Sequence, residues 1–434
     1  MLFKEFSSPF IGAVRSSSEG LQRATSATNR LSHQVPNTTT EPVSRHSAKV
    51  CLQVLPAMGT GGVERGTIEV AEALVAAGWR ALVASQGGAH VRELHRVGAE
   101  HIEMPLASKS PVIIRRNIKG LADLITHRSV SLVHARSRAP AWSAYWAAKQ
   151  AGTPFVTTFH GVYGLGPAGV KKIYNRVMTH GEVVIAISNF IANHLMTEYG
   201  VAEDRMRIIP RGVDLTTFDP ETVSSARMVK LATEWRLPDD GPVIMLPGRL
   251  TSWKGQDLLI DALSVLARSG RLHDGLRCLM VGPGSAGSSY RDRLEAKLSA
   301  TGLDGHVQII EDCRDIVAAY MMTDVVVSAS TRPEAFGRVV AEGQAMGRPV
   351  VAPSHGAAPE ILLPGVTGWL FTPGDAPSLA GALEQAMNVP VERREDLAGQ
   401  ARSHVIENFD RDMMTASTID VYEDVLAKHA AGSV

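Results

Sequence analysis

From Val50 onward, short apolar runs alternate with segments of helical period. Val50–Leu55 reads as a buried strand, and Val63–Ala77 as a helix with Ile68, Ala71, Leu74 and Val75 on one face. Ala81–Ala84, Ser131–His134, Phe155–Thr158, Val183–Ala186 and Arg207–Ile209 continue the strand series, with helical stretches between them. The series restarts at Val243–Leu246, Cys278–Val281, Val307–Ile310, Val325–Ser328 and Val350–Ala352, interleaved with helices over Lys254–Arg268, Tyr290–Ala300, Ile316–Met322 and Gly337–Met346. Strands that are apolar on both faces and separated by helices predict parallel sheets covered on both sides. The pattern therefore predicts an α/β chain of two tandem doubly wound, Rossmann-like domains, residues 48–215 and 216–404, with strand ends facing one cleft. An amphipathic helix over Val405–Lys428, carrying Met414, Val421, Tyr422 and Val425, lies in the last segment, 405–434. It has no sheet of its own and is expected to cross back to the first domain. Residues 1–47 are rich in Ser, Thr, Asn and Arg without an apolar period, and read as a disordered extension. Glu5, Glu19 and Glu41 weigh against a transit peptide there.

Composition narrows the function classes. A chain of 434 residues with three Cys has the length for two sizeable cores and no disulfide framework. Cys51, Cys278 and Cys313 stand among apolar neighbours at no metal-ligand spacing. No run of about 18 apolar residues is present to span a bilayer. The charge balance, 44 Lys+Arg against 44 Asp+Glu, argues against a nucleic-acid binder. That balance conceals a split: residues 1–215 hold 24 basic and 15 acidic side chains, a net of +9, so the remainder is −9.

Four loops carry candidate chemistry. Met58-Gly59-Thr60-Gly61-Gly62-Val63-Glu64-Arg65-Gly66 lies between the first strand and the first helix. It fails the dinucleotide fingerprint at its third Gly, and the second strand ends Ala84-Ser85-Gln86 without the ribose acid. It lacks the Lys of a P-loop as well. Gly61 and Gly62 at a helix start still suit an anionic group. In Gly248-Arg249-Leu250-Thr251-Ser252-Trp253-Lys254-Gly255, Arg249 and Lys254 stand where two cations can converge on a diphosphate. In Glu334-Ala335-Phe336-Gly337-Arg338-Val339-Val340-Ala341-Glu342, one acid precedes a helix start and the other follows ~8 Å along its axis, at a rise of about 1.5 Å per residue. An acid, free helix N–H groups and a second acid match the length of a nucleotide-sugar: Glu334 at sugar hydroxyls, the amides at the diphosphate, Glu342 at the ribose diol. Thr157-Thr158-Phe159-His160-Gly161 sets His160 at a strand end, where it is a buried core residue or a site residue.

These motifs together resemble the retaining family-four nucleotide-sugar glycosyltransferases of GT-B fold, over nearly all the chain from about Val50. The Glu334–Glu342 spacing is the most specific element. Gly248-Arg249 with Lys254-Gly255, Ile209-Pro210-Arg211-Gly212-Val213-Asp214, Val281-Gly282-Pro283-Gly284 and Ala186-Ile187-Ser188 follow in the family's order. The resemblance implies that Arg249 and Lys254 clamp the donor diphosphate in place of a metal, and that no cofactor or metal is needed. It implies Glu334 at the donor sugar with the Phe336 and Gly337 amides, Glu342 at the ribose, and His160 near the reaction centre. Gly61 and Gly62 would approach phosphate or acceptor, with Glu64 bordering the acceptor side. The family more often has Asn where Arg211 stands, so Arg211 carries no functional weight at this point. Val133–Pro140 and Tyr174–Met178 are similar to bacterial enzymes of lipopolysaccharide core or other surface-polysaccharide assembly.

The expected reaction is transfer of a hexose from a UDP- or GDP-sugar to a hydroxyl of a lipid-linked or oligosaccharide acceptor, with retention. Its rivals are a nucleotide-sugar epimerase of the same fold, an NAD-linked oxidoreductase, and a non-catalytic nucleotide-sugar-binding protein. A cytoplasmic location is expected, with the basic first half resting on an anionic membrane face. Arg115, Arg116, Lys119, Lys171, Lys172 and Arg176 are the contributors, although Ser110–Ile125, with Ile114, Ile118, Leu121 and Ile125 in one stripe, also fits a packed helix with a solvated basic face.

Overall fold

The computed structural model describes residues 48–164, 166, 169–238, 240–284 and 289–432, so the disordered-extension reading of 1–47 lies outside the described residues. The first sheet contains β1 (Val50–Val54), β2 (Arg80–Ser85), β3 (Glu100–Glu103), β4 (Leu132–Ala135), β5 (Phe155–Phe159), β6 (Val183–Ala186) and β7 (Met206–Ile208). The second contains β8 (Val243–Pro247), β9 (Arg277–Val281), β10 (Val307–Ile310), β11 (Val325–Val327), β12 (Val350–Pro353) and β13 (Gly368–Phe371). Both are wholly parallel, in the orders β3-β2-β1-β4-β5-β6-β7 and β10-β9-β8-β11-β12-β13. Every residue of β1 is buried, because helices cover both faces of a central parallel strand. Cys51↔Ala81 and Cys51↔Leu132 fix the register of β1 against β2 and β4. The two domains expected from the alternating pattern are present.

In each sheet the strand order reverses once, between β1 and β4 and between β8 and β11. A crevice opens at such a reversal, above the C-terminal strand ends, because successive crossovers leave to opposite sides. The Gly59–Gly66 turn follows β1, the Gly248–Gly255 loop follows β8, and the Ser328–Gly337 loop follows β11. Three of the four candidate loops thus lie at the two switch points, and the fourth, with His160, follows β5.

Three details differ from the sequence expectations. The edge strands β3 and β13 were not anticipated: β3 reads Glu-His-Ile-Glu without an apolar run, and β13, Gly-Trp-Leu-Phe, is a short apolar stretch only half buried in the middle. The helix expected to begin at Lys254 begins at Gln256, because Ser252–Lys254 forms a single 3-10 turn closed by Gly255 at φ 79°. The single helix expected over Val405–Lys428 is two helices, Val391–Asn408 and Arg411–Ala430.

The break at Phe409–Asp410 is where the chain crosses back. Val213 N–H donates to the Phe409 carbonyl at 2.7 Å, and Arg411 N–H donates to the Val213 carbonyl at 3.0 Å. The outgoing and returning crossings are thus hydrogen-bonded side by side. Beyond the break, Met414, Val421, Tyr422 and Val425 bury against the first domain's Ile68, Leu74 and Trp79. Each such side chain contributes about 1.5–3 kcal/mol through burial. Between the domains, the Ser188 hydroxyl donates to the Ala335 carbonyl at 2.6 Å, and the Glu360 carboxylate accepts from the Asn189 and Phe190 amides at 2.7 and 2.6 Å. The last pair places a carboxylate at the positive end of helix Asn189–His194.

Candidate active site

On the second domain, Gly255 lets the chain turn sharply after Lys254: a Cβ there would stand 1.8 Å from the Ala329 carbonyl oxygen. This approach aims Lys254 at the loop after β11, where its Nζ meets Glu334 Oε1 at 2.8 Å. Ser330 donates its hydroxyl to the same oxygen, and the Trp253 ring lies 4.6 Å from the ammonium. The loop is held from below. Phe336 is buried and packs edge-on against Phe409 at 5.8 Å, while the Glu334 carbonyl accepts from Ala357 N–H at 3.0 Å. Arg249 stands exposed at the rim, its guanidinium making no hydrogen bond or ion pair among the described residues. Lys254 and Glu334 are thus brought together, whereas Arg249 meets neither of them.

Helix Arg338–Ala345 starts at Gly337, whose φ of 91° is costly for any residue with a Cβ. No side chain caps that start, so its N–H groups face the cleft. Glu342, one turn in, accepts from Tyr320 Oη at 3.0 Å and from Arg338 Nε at 3.1 Å. Tyr320 gave no signal in the sequence, whereas Arg338–Glu342 is an i,i+4 pair that spacing alone offers. Burial would depress the Arg338 pKa, but Glu342 and Glu69 outweigh it and hold the guanidinium above its ordinary value.

The first domain contributes the opposite wall. Gly61 precedes helix Gly62–Ala76 as its N-cap, and Glu64 folds back so that a Cβ on Gly61 would meet its Oε2 at 2.4 Å. A Cβ on Gly62 would lie 3.8 Å from Arg338 Cδ, so the two domains approach closely here. His160 directly follows β5, and among the described residues neither of its buried ring nitrogens has a hydrogen-bond partner. Its pKa is held well below 6.5 by burial and then by the charges of Arg211, Arg136 and His134. A neutral imidazole with both nitrogens unused can serve as a hydrogen-bonding group for a ligand.

Beneath it lies a polar network to whose members the sequence assigned no site role. His134 Nε2 meets Thr158 Oγ1 at 2.7 Å, and its Nδ1 meets Tyr422 Oη at 2.5 Å, from the crossing helix. Buried Arg136 donates to Gln53 Oε1 at 2.8 Å and to the Gly66 carbonyl at 2.9 Å. Burial, then Arg136 and Arg211, also push the His134 pKa well down. Both rings are therefore neutral when folded, whereas an unfolded ring gains a proton near its ordinary 6.5. The unfolded state binds more protons as pH falls below that value, so stability falls with it, by up to ~1.4 kcal/mol per pH unit per ring. Urea midpoints are expected to drop from pH 7 to 5.5, less steeply in His160→Gln. An identical slope in that variant would exclude His160 as a source.

Comparison with known proteins gives a consistent result. Residues 60–217 match the model for Glycosyltransferase Family 4, and residues 230–404 match that for Glycosyl transferases group 1. A D-inositol 3-phosphate glycosyltransferase of Xylanimonas cellulosilytica is 31% identical over 309 residues, covering 66% of this chain and 72% of that protein. The crystal structure of a glycosyltransferase from Rickettsia africae superposes with a TM-score of 0.81 at 38% identity, over 88% of this chain and 99% of that one. That of Anabaena HepE in complex with UDP and glucose gives 0.74 at 23% identity, over 87% and 100%.

Proposed function

Because the chain belongs to the GT-B glycosyltransferases that join a Family 4 first half to a group 1 second half, we propose that it moves a hexose from a nucleotide diphosphate-sugar to a glycan hydroxyl with retention at the anomeric carbon. The observation that carries this reading is the pair Glu334 and Glu342 flanking an uncapped helix start at the second switch point, with Lys254 already drawn to Glu334. In the proposed reaction the bond between anomeric carbon and diphosphate breaks, and negative charge collects on the leaving phosphate. Lys254, Arg249 and the amides of Phe336 and Gly337 stabilise that charge. Donor entry requires Lys254 to turn from Glu334 to the phosphate, which frees the Glu334 carboxylate for sugar hydroxyls. Likewise Glu342, oriented by Tyr320 and Arg338, is proposed to accept the ribose hydroxyls. His160 borders the reacting carbon, and Glu64 the acceptor. The departing phosphate takes the acceptor's proton as the new glycosidic bond forms on the same face.

The UDP or UDP-glucose seen with the HepE protein makes a uridine donor the first to test. A thermal-shift screen with UDP-glucose, UDP-GlcNAc, UDP-galactose and GDP-mannose is expected to show one clear stabilisation, about 2.7 kcal/mol at a hundredfold excess over Kd. No shift with any of them would count against the donor assignment.

We further propose an acceptor of lipopolysaccharide-core or surface-polysaccharide type, met at an anionic membrane face. Leu121 and Ile125 pack inward while Arg115, Arg116 and Lys119 are exposed. Val112 at 76% and Ile173 at 70% exposure are apolar residues on the helices that bear this basic side and Lys171–Lys172. Among the described residues no helix is long and apolar enough to cross a membrane. Flotation with anionic but not neutral liposomes is expected, weakening as salt shortens the Debye length. Equal recovery with both lipids would remove the electrostatic attachment.

A further inference from the structure

Arg211 departs from the Asn common at its position in the resembling family, and the fold gives it a distinctive setting. It is 8% exposed, yet among the described residues its one hydrogen bond runs from Nη2 to the Gly62 carbonyl. Its Nε and Nη1 have no partner among the described residues. The guanidinium crosses helix Gly62–Ala76 where Gly66 leaves room: a Cβ on Gly66 would stand 1.8 Å from Nη1. Arg136, 3% exposed, reaches the same turn through the Gly66 carbonyl. At this turn the buried Glu69 carboxylate attracts both guanidiniums while pairing with Arg65 at 3.4 Å, and Glu64 adds a weaker attraction on Arg211. Burial and the repulsion of Arg136 bring the Arg211 pKa down to about 9, as expected for positive charge that the protein only partly neutralises. His160, with both nitrogens unpartnered, lies within reach of these charges.

We propose that Arg211, laid over Gly66 at the N-terminal turn of helix Gly62–Ala76, binds an anionic group, phosphate or carboxylate, carried by the acceptor. This rests on the glycosyltransferase reading and assigns the class of its second substrate. The donor diphosphate has its own cations, Arg249 and Lys254, on the other domain. Arg338, the cation that reaches Gly62 from that domain, is already held by Glu342. Arg211 and Arg136 thus remain for a charge entering from the acceptor side, where an Arg fork fits a phosphate or carboxylate geometrically. Glu64, folded over Gly61, must swing away from the incoming anion.

The test uses the full chain in two steps. UDP and GDP are titrated first, which examines the donor reading by itself. Inorganic phosphate, and acetate in a parallel arm, are then titrated into protein saturated with whichever nucleotide binds, so the donor phosphate positions are occupied. If neither nucleotide binds, phosphate is titrated into the free protein. Wild type is expected to bind at least one anion, and Arg211→Gln to bind it 10- to 100-fold more weakly, as for loss of a charge-assisted hydrogen bond. Gly66→Ala supplies a second variant that keeps every charge: its methyl displaces only the flexible end of Arg211 and suits the helix better than Gly. It is expected to show the same loss with unchanged nucleotide affinity. No anion binding by wild type, unchanged anion binding in both variants, or a matching loss of nucleotide binding in Gly66→Ala would each overturn the proposal.

Discussion

Lys254→Ala is expected to lower turnover by about 10²- to 10³-fold, the usual cost of removing one preorganised group from a developing negative charge. The Lys254 ammonium is fixed by Gly255 behind it, the Trp253 ring beside it and Glu334 in front. In the proposed reaction it would reach the leaving phosphate by a short rotation away from Glu334. Stability should change little. Glu334 retains the Ser330 hydroxyl, and its carboxylate opens onto the cleft, where water replaces the lost ammonium. Melting should therefore move by only a few degrees. Turnover at the wild-type rate by a folded Lys254→Ala enzyme would remove the diphosphate clamp from the mechanism. Arg249→Ala should share the direction of the effect, with less influence on folding because its side chain is exposed and unpaired among the described residues.

Gly255→Val is expected to destabilise the second domain by about 3 kcal/mol or more, combining left-handed backbone strain with overpacking against a main chain that cannot yield. The contact is with the Ala329 carbonyl at 1.8 Å, on the segment joining β11 to the Glu334 loop. Relief of the clash must separate Lys254 from Glu334, so activity and stability should fall together. Gly399→Ala is the control: it lies in helix Val391–Asn408 with open space around its Cβ position, and should be neutral or slightly stabilising. A Gly255→Val denaturation midpoint equal to that of wild type would show that this turn does not set the loop geometry.

The central strands were readable in the sequence because each is buried on both faces and therefore nearly all apolar, as in Val50–Val54 and Val325–Val327. The edge strand Glu100–Glu103 escaped for the complementary reason. An outer strand needs few apolar residues, and Glu100–Glu103 alternates around a single Ile. The second switch-point loop was equally readable, since Glu334 and Glu342 lie on one continuous stretch and helical rise sets their spacing. What joins them to the rest is long-range. Lys254 meets Glu334 across 80 positions, and Tyr422 meets His134 across 288, neither of which a local pattern encodes. Arg211 illustrates the same limit differently. In sequence it is a departure from a family motif, and only the fold shows it lying over Gly66 with two nitrogens unused among the described residues.

The central claim is that one nucleoside diphosphate-sugar lies along the second switch point, its ribose at Glu342 and its diphosphate at Lys254. Calorimetric titration of the full chain with UDP and GDP, in wild type and in Glu342→Ala, tests it most directly. One nucleotide is expected to bind wild type at a single site. Glu342→Ala should bind it 10- to 100-fold more weakly, because a carboxylate accepting ribose hydroxyls makes charge-assisted hydrogen bonds. Binding of neither nucleotide by wild type, or equal affinity in a folded Glu342→Ala protein, would contradict the account.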